Sequence, residues 1–153
     1  MGERDSVRYV LTMTEKQARC VVAALDLAIR IRLGQWNEIV EQCLDCDYDD
    51  IDEYLKRKED AVHILEQARE IVMPELEGKI MACSYGVYKF DYTERAFNVL
   101  KAVRACLAWN ENPEGGITVN FDKPFAVHVA EEMPKCEAIE DAKGHKAADG
   151  GTA

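Results

Sequence analysis

The chain has 153 residues, 48% of them hydrophobic, with 29 acidic and 19 basic side chains and a formal net charge of −10. That length suits one domain with a sizeable core. The acidic balance argues against general nucleic-acid binding, which needs a basic face for phosphates, and no apolar run approaches the ~20 residues that span a bilayer.

Met1 to Asp5 is polar and charged, and no apolar stretch of signal-peptide type follows it. Val7 to Met13 is rich in β-formers and predicts a short strand. Thr14-Glu-Lys-Gln17 is a capping box: the Thr hydroxyl can accept from the third helical amide, and Gln17 can reach back. A first helix is predicted from Glu15 to Leu33, with Gly34 as its stop. It is apolar around most of its circumference. Ala18, Val21, Val22, Leu25 and Ile29 form one stripe, and Cys20, Ala24, Leu27, Ala28 and Ile31 cover the adjoining side. A surface helix normally buries one stripe only, so this pattern predicts self-association, a homodimer or higher, through the first helix.

Trp36 to Leu44 predicts a short second helix, followed by an acidic loop from Cys43 to Asp50. Asp50 with Glu53 opens a third helix, where Ile51, Leu55, Val62, Leu65, Arg69 and Val72 recur at helical spacing up to Pro74. Gly78 to Phe90 reads as irregular. Asp91 or Thr93 is expected to cap a fourth helix reaching Trp109, with Ala96, Val99, Leu100, Val103 and Leu107 as its core stripe. Asn110, Pro113, Gly115 and Gly116 break that helix and turn a corner. Ile117 to Phe121 alternates with period two, a second strand, and Pro124 ends it. The fold expected is α+β and predominantly helical. About four helices form a bundle-like body, and a small antiparallel pair joins the N-terminal and C-terminal strands. Residues 1–136 would form the domain and 137–153 a flexible tail.

Charge is unevenly placed. Residues 1–35 carry six basic and four acidic side chains, and residues 79–112 five and three. Residues 36–78 carry four basic and fourteen acidic. Two mildly positive helical segments therefore flank a strongly acidic one.

Catalytic motifs are missing. There is no Walker loop, dinucleotide fingerprint, HExxH or GxSxG. The six cysteines are scattered, and those inside helical patterns act as small apolar side chains in a reducing compartment. Cys43-Leu-Asp-Cys46 is the only CxxC, and no second pair or paired His follows at metal-ligand spacing. No metal, cofactor or enzymatic activity is expected.

The residue types instead suit an anion. Arg30 follows Asp26 by four positions, the favourable order for a helical ion pair. Arg32 lies roughly 200° around the helix from Arg30 and so joins the apolar side, where a guanidinium needs an anion, a carbonyl or water. Gln35 follows at the helix end. Lys101 and Arg104 form a second basic pair, and Tyr85 sits in Ser84-Tyr-Gly86, where a loop can offer a ring and a hydroxyl. Arg30, Arg32, Gln35, Tyr85, Lys101 and Arg104 are the candidate ligand-binding residues, phosphate to Arg and base to ring.

The stretches "TEKQARCVVAALDLAIRIRLGQWNEI" and "SYGVYKFDYTERAFNVLKAVRACLAWNENPEGGITVNFDKP" resemble a family of small proteins encoded by bacteriophages and prophages. The resemblance covers residues from about 9 to 136. Its most specific parts are Arg-x-x-Leu-Gly-Gln at 30–35 and Ala-Trp…Pro-x-Gly-Gly at 108–116. It supplies no catalytic residues. It implies expression in the cytoplasm of an infected bacterium; of the roles such proteins take, virion assembly or genome management is disfavoured by the lack of a long heptad pattern or a glycine-rich strand array, and two remain. One is sequestration of an anionic small molecule, such as a nucleotide signal of antiviral defence. The other is inhibition of a host defence protein through the acidic helical face of residues 36–78.

Overall fold

The computed structural model describes residues 8–45, 49–80, 83–125 and 132–139. Four α-helices carry the architecture: α1 (Glu15–Leu33), α2 (Asn37–Cys43), α3 (Ile51–Val72) and α4 (Asp91–Glu111). Single 3₁₀ turns occur at Pro74–Leu76, Val87–Lys89 and Val119–Phe121. No described helix is long and apolar enough to cross a membrane.

The capping chemistry sets α1 where the sequence places it. The Gln17 amide donates to the Thr14 hydroxyl at 3.3 Å, and the Thr14 amide donates to the Gln17 side chain at 2.9 Å. At the other end Gly34 adopts φ +91°, and its amide returns to the last carbonyls of the helix. The positive φ favours glycine, and a Cβ there would also meet Leu76 Cδ1 at 2.5 Å, so that buried side chain would have to shift. Asp50 caps α3 by accepting from the Glu53 amide at 3.1 Å. At α4 the structure departs from expectation. Neither Asp91 nor Thr93 caps it; the residue before the helix is Phe90, which makes no side-chain cap. The Thr93 hydroxyl points back at the Val87 and Phe90 carbonyls instead, at 2.6 and 2.7 Å.

The core is the α1–α4 seam. Ile29 and Leu33 pack on Ala96 and Leu100, with Val22, Leu25, Tyr85, Phe90 and Phe97 around them. α2 lies against α1. α3 contacts α2 and the 74–76 turn but, among the regular elements, neither α1 nor α4. The four helices thus do not close into a bundle: a packed pair carries an outrigger.

Arg69 fastens that outrigger. It sits on the expected core stripe of α3 and is wholly buried. Its Nη2 donates to the Lys79 carbonyl. Its Nη1 faces the carbonyls of Gly34, Ile80 and Cys83, each at 3.4 Å. Its Nε has no partner among the described residues. The carbonyl end of α1 carries partial negative charge, so a cation there is favourable.

The expected two-stranded β element is overturned: among the described residues there is no strand. Val7 lies outside them. Tyr9, Val10 and Leu11 are 92%, 93% and 73% exposed, so no partner strand covers them. At the other site Val119–Phe121 closes as a 3₁₀ turn, and the alternation is broken by aromatic packing. Phe121 stacks edge-on against Trp109, ring centres 5.3 Å apart, while Ile117 and Val119 face solvent. A lone two-stranded ribbon is marginal in water, and one aromatic anchor on a helix outweighs it.

The 108–116 stretch is a corner held by Asn112, Gly115 and Gly116. The Gly115 amide donates to the Asn112 carbonyl at 3.0 Å, and the Asn112 side chain reaches back to the Gly115 carbonyl. Gly115 has φ +87°, and a Cβ on Gly116 would strike the Phe121 ring at 2.4 Å. Of the expected tail, residues 137–139 are exposed and form no helix or strand, and the part from residue 140 onward lies outside the described residues.

Candidate functional site

The structure links most of the candidate residues, but to one another and to the fold. Asp26, on α1, is the hub. Arg30 Nε donates to Asp26 Oδ2 at 2.7 Å, and Arg104 Nη2, arriving from α4, donates to Oδ1 at 2.9 Å. Arg30 Nη1 also reaches Gln35 Oε1 and Glu38 Oε1, both at 3.2 Å. Gln35 Nε2 then donates to the Ser84 hydroxyl at 3.0 Å. One polar chain therefore runs from α4 through α1 to α2 and the 83–86 segment. Two guanidiniums meet two carboxylates, so the cluster is charge-balanced. The hydrogen bond to Asp26 raises Arg30 above its usual value, against the opposing effect of burial.

Tyr85 is anchored next to this chain. Its amide donates to the Leu33 carbonyl at 2.9 Å, and its hydroxyl to Glu75 Oε2 at 2.6 Å. That bond holds the Glu75 carboxyl below its usual range and pushes the Tyr85 phenol above its own. The ring meets Phe90 edge-on at 5.9 Å, and Lys89 lies over it at 4.9 Å. Lys101 is apart from this group. Its ammonium donates to the Phe125 carbonyl and sits over the Phe125 and Phe97 rings at 4.0 and 5.2 Å. Burial lowers its pKa.

Arg32 is the exception. It is exposed, its guanidinium carbon lies 5.4 Å from the Tyr92 ring centre and 5.9 Å from that of Phe90. No carboxylate among the described residues forms an ion pair with it. Two rings orient the fork while its donors face water.

Among the described residues, two open grooves lie along the helices. One, of about 350 Å³, runs between α1 and α4 over Val22 and Leu107, with Arg19, Arg104, Glu111 and Asn120 at its sides. Arg19 is itself held by Glu15 at 2.8 Å and Glu111 at 3.2 Å. The other, of about 570 Å³, lies along α3 over Leu55 and Val62, beside Lys58, Glu59, His63 and Glu66. Among the described residues no three His, Cys, Asp or Glu side chains converge as metal ligands would. Cys46, His128 and His145 lie outside them.

Sequence reasoning missed the double role of Asp26, because Arg104 is distant in the chain. It also missed what Arg69 does, although the stripe position was in view. An arginine on an apolar stripe was the available signal. No family model, curated protein or solved structure matches the chain.

Proposed function

We propose that the protein is a non-enzymatic interaction protein that presents the outer face of α3 to a basic, partly apolar surface of a partner protein. The observation that carries this reading is the charge segregation along the outrigger. Lys56, Arg57 and Lys58 lie in its first half, while the later turns, residues 59–72, contain Glu59, Asp60, Glu66 and Glu70 and, of lysines and arginines, only Arg69, which is turned inward and buried. The outward line Asp60, Ile64, Gln67, Ile71 has helical spacing, and its two isoleucines are 63% and 83% exposed. Apolar anchors framed by acids fit a basic groove, where charge steers encounter and the anchors hold. The bacteriophage resemblance makes the partner a host protein.

The test places a photo-crosslinking residue at position 64 or, as control, at position 16, and exposes the protein to bacterial lysate. The expected result is one basic protein captured from position 64 only. The purified captured protein should then bind the Ile64→Ser/Ile71→Ser variant at least tenfold more weakly, about 1.4 kcal/mol. Equal capture from both positions, or unchanged affinity, overturns the reading.

A second reading rests on Arg32. An exposed guanidinium braced by two rings suits a phosphate with a base stacked alongside, as in a cyclic nucleotide or an ADP-ribose derivative. Five of the six candidate residues already spend polar atoms inside the fold, which is why this reading stands second. Calorimetry against a nucleotide panel decides it. Arg32→Ala should weaken binding ten- to a hundredfold, and a panel with nothing tighter than about millimolar removes the reading.

A further inference from the structure

The start of α1 and the end of α4 lie at the same end of the helix pair. Arg19 meets Glu111 there, Asp26 meets Arg104 further in, and Asn120 lines the same groove as Arg19 and Val22. The chain enters this end through residues 8–13 and leaves it through the corner that follows α4. Both stretches are apolar and uncovered. Tyr9, Val10 and Leu11 are largely open, Ile117 is fully exposed, Val119 is 81% exposed, and Trp109 is about half open. The 8–13 backbone is unpaired as well: among the described residues none of its amides or carbonyls makes a hydrogen bond. Extended, β-forming backbone with free amides and carbonyls is a template for another chain.

We propose that this end is a self-association surface, in which residues 8–12 of one copy pair antiparallel with residues 8–12 of a second across a two-fold axis. Register points to a second copy as the occupant. Centred on Val10, the pairing sets Arg8 opposite Thr12 and Tyr9 opposite Leu11, so no like charges face each other. Successive side chains alternate in direction, so both Tyr9 and both Leu11 rings and branches share one side, the side of Met13, which is already half-buried.

Support and area point the same way. A two-stranded ribbon alone is marginal in water. Here the Tyr–Leu side has apolar ground to rest on, since Ile117, Val119 and Trp109 stand open at the same end of both copies. Six large apolar side chains left open together offer an area comparable to the ~800 Å² that each partner buries in a standard interface. The ribbon exists only between copies; within one chain residues 8–13 have no strand partner among the described residues. α3 is fastened at the far end of α1, where Arg69 faces the Gly34 carbonyl, and takes no part. A dimer built this way carries two acidic α3 faces.

The experiment is sedimentation velocity on the full chain, from micromolar to near-millimolar concentration. The expected result is a monomer–dimer equilibrium. Tyr9→Lys/Leu11→Lys should raise the dissociation constant at least tenfold and leave helical circular dichroism unchanged, because both positions are exposed. Ile64→Ser/Ile71→Ser should leave the constant as it is, which separates this test from that of the α3 face. Val10→Cys gives a positive signature. Directly opposed residues of an antiparallel pair have Cα atoms about 4.5–5.5 Å apart, within disulfide reach. After mild oxidation, trypsin cleavage at Arg8 and Lys16 should release residues 9–16 linked to a second copy of themselves. A monomer at every concentration, an assembly that the lysine pair leaves intact or the α3 variant dissolves, or a Val10→Cys protein without that linked peptide overturns the proposal.

Discussion

α3 and α4 are almost the same length, 22 and 21 residues, and each has an apolar stripe at helical spacing. Their fates differ. α4 buries Thr93, Glu94, Ala96, Asn98, Leu100, Ala102, Val103 and Ala105, which point to more than one side of the helix. α3 buries Arg69 alone. A stripe says which face can be covered, while coverage depends on what the rest of the chain brings to it. α4 receives α1, two 3₁₀ turns and the corner; α3 receives α2 and one turn.

The largest expected contrast is between matched truncations on the two helices. Leu100 is 1% exposed, and Leu100→Ala should cost about 2–5 kcal/mol as a core cavity. Ile64→Ala, on the open face of α3, should change stability by less than about 0.5 kcal/mol. Urea unfolding of both variants measures this. Comparable losses would mean that α3 is covered in solution, by a second copy in the first instance. The outer side of α1, with Cys20 and Ala24 exposed beside Lys16, remains another surface through which copies would associate. Light scattering across a concentration range separates these cases from a monomer.

Arg69→Met comes next. It keeps the apolar stem but strands the carbonyls that the guanidinium serves, and should cost about 2–4 kcal/mol. If α3 is an outrigger held at one end, hydrogen-exchange protection should fall first in α3 and the 79–83 region, with α1 and α4 little changed. Uniform loss across all four helices would show that α3 is integral to the cooperative core.

Asp26→Asn tests the α1–α4 side of the comparison. It removes the charge that holds two arginines, which are then left near one another. Because both guanidiniums are more than a third exposed, the loss is expected at about 1–2 kcal/mol. A double-mutant cycle with Arg104→Gln measures the coupling directly, and zero coupling would reduce the contact to a surface pairing.

What was readable in the sequence follows from the range of the forces involved. Thr14, Gln17 and Gly34 define α1 through contacts within a few residues, and those bounds are the ones observed. The Asp26–Arg30 pair is likewise local. The strand at 117–121 failed because alternation is necessary for a half-buried strand but not sufficient: Phe121 had a better partner in Trp109. The second arginine on Asp26 and the carbonyl cage of Arg69 both join distant positions. No periodicity records such contacts, since they exist only once the helices are packed.

The smallest effect concerns the tether between the two regions. Glu75 belongs to the turn that follows α3, and Tyr85 packs on Phe90 of the core cluster, so their hydrogen bond spans the junction. Glu75 is depressed in the folded protein, chiefly by that bond. Its contribution is therefore complete above the unfolded carboxyl value of about 4.3 and is lost as pH falls through the folded value. Tyr85 is raised, so its contribution is complete below the unfolded phenol value of about 10 and is lost as pH rises through the folded one. The stability difference between wild type and Tyr85→Phe should thus be flat from about pH 5 to 9 and shrink toward both extremes. Carboxyl NMR should show Glu75 returning upward toward its ordinary range in Tyr85→Phe. An unchanged Glu75 titration would mean that the phenol does not hold it in solution, and that α3 is joined to the core through Arg69 without this second tie.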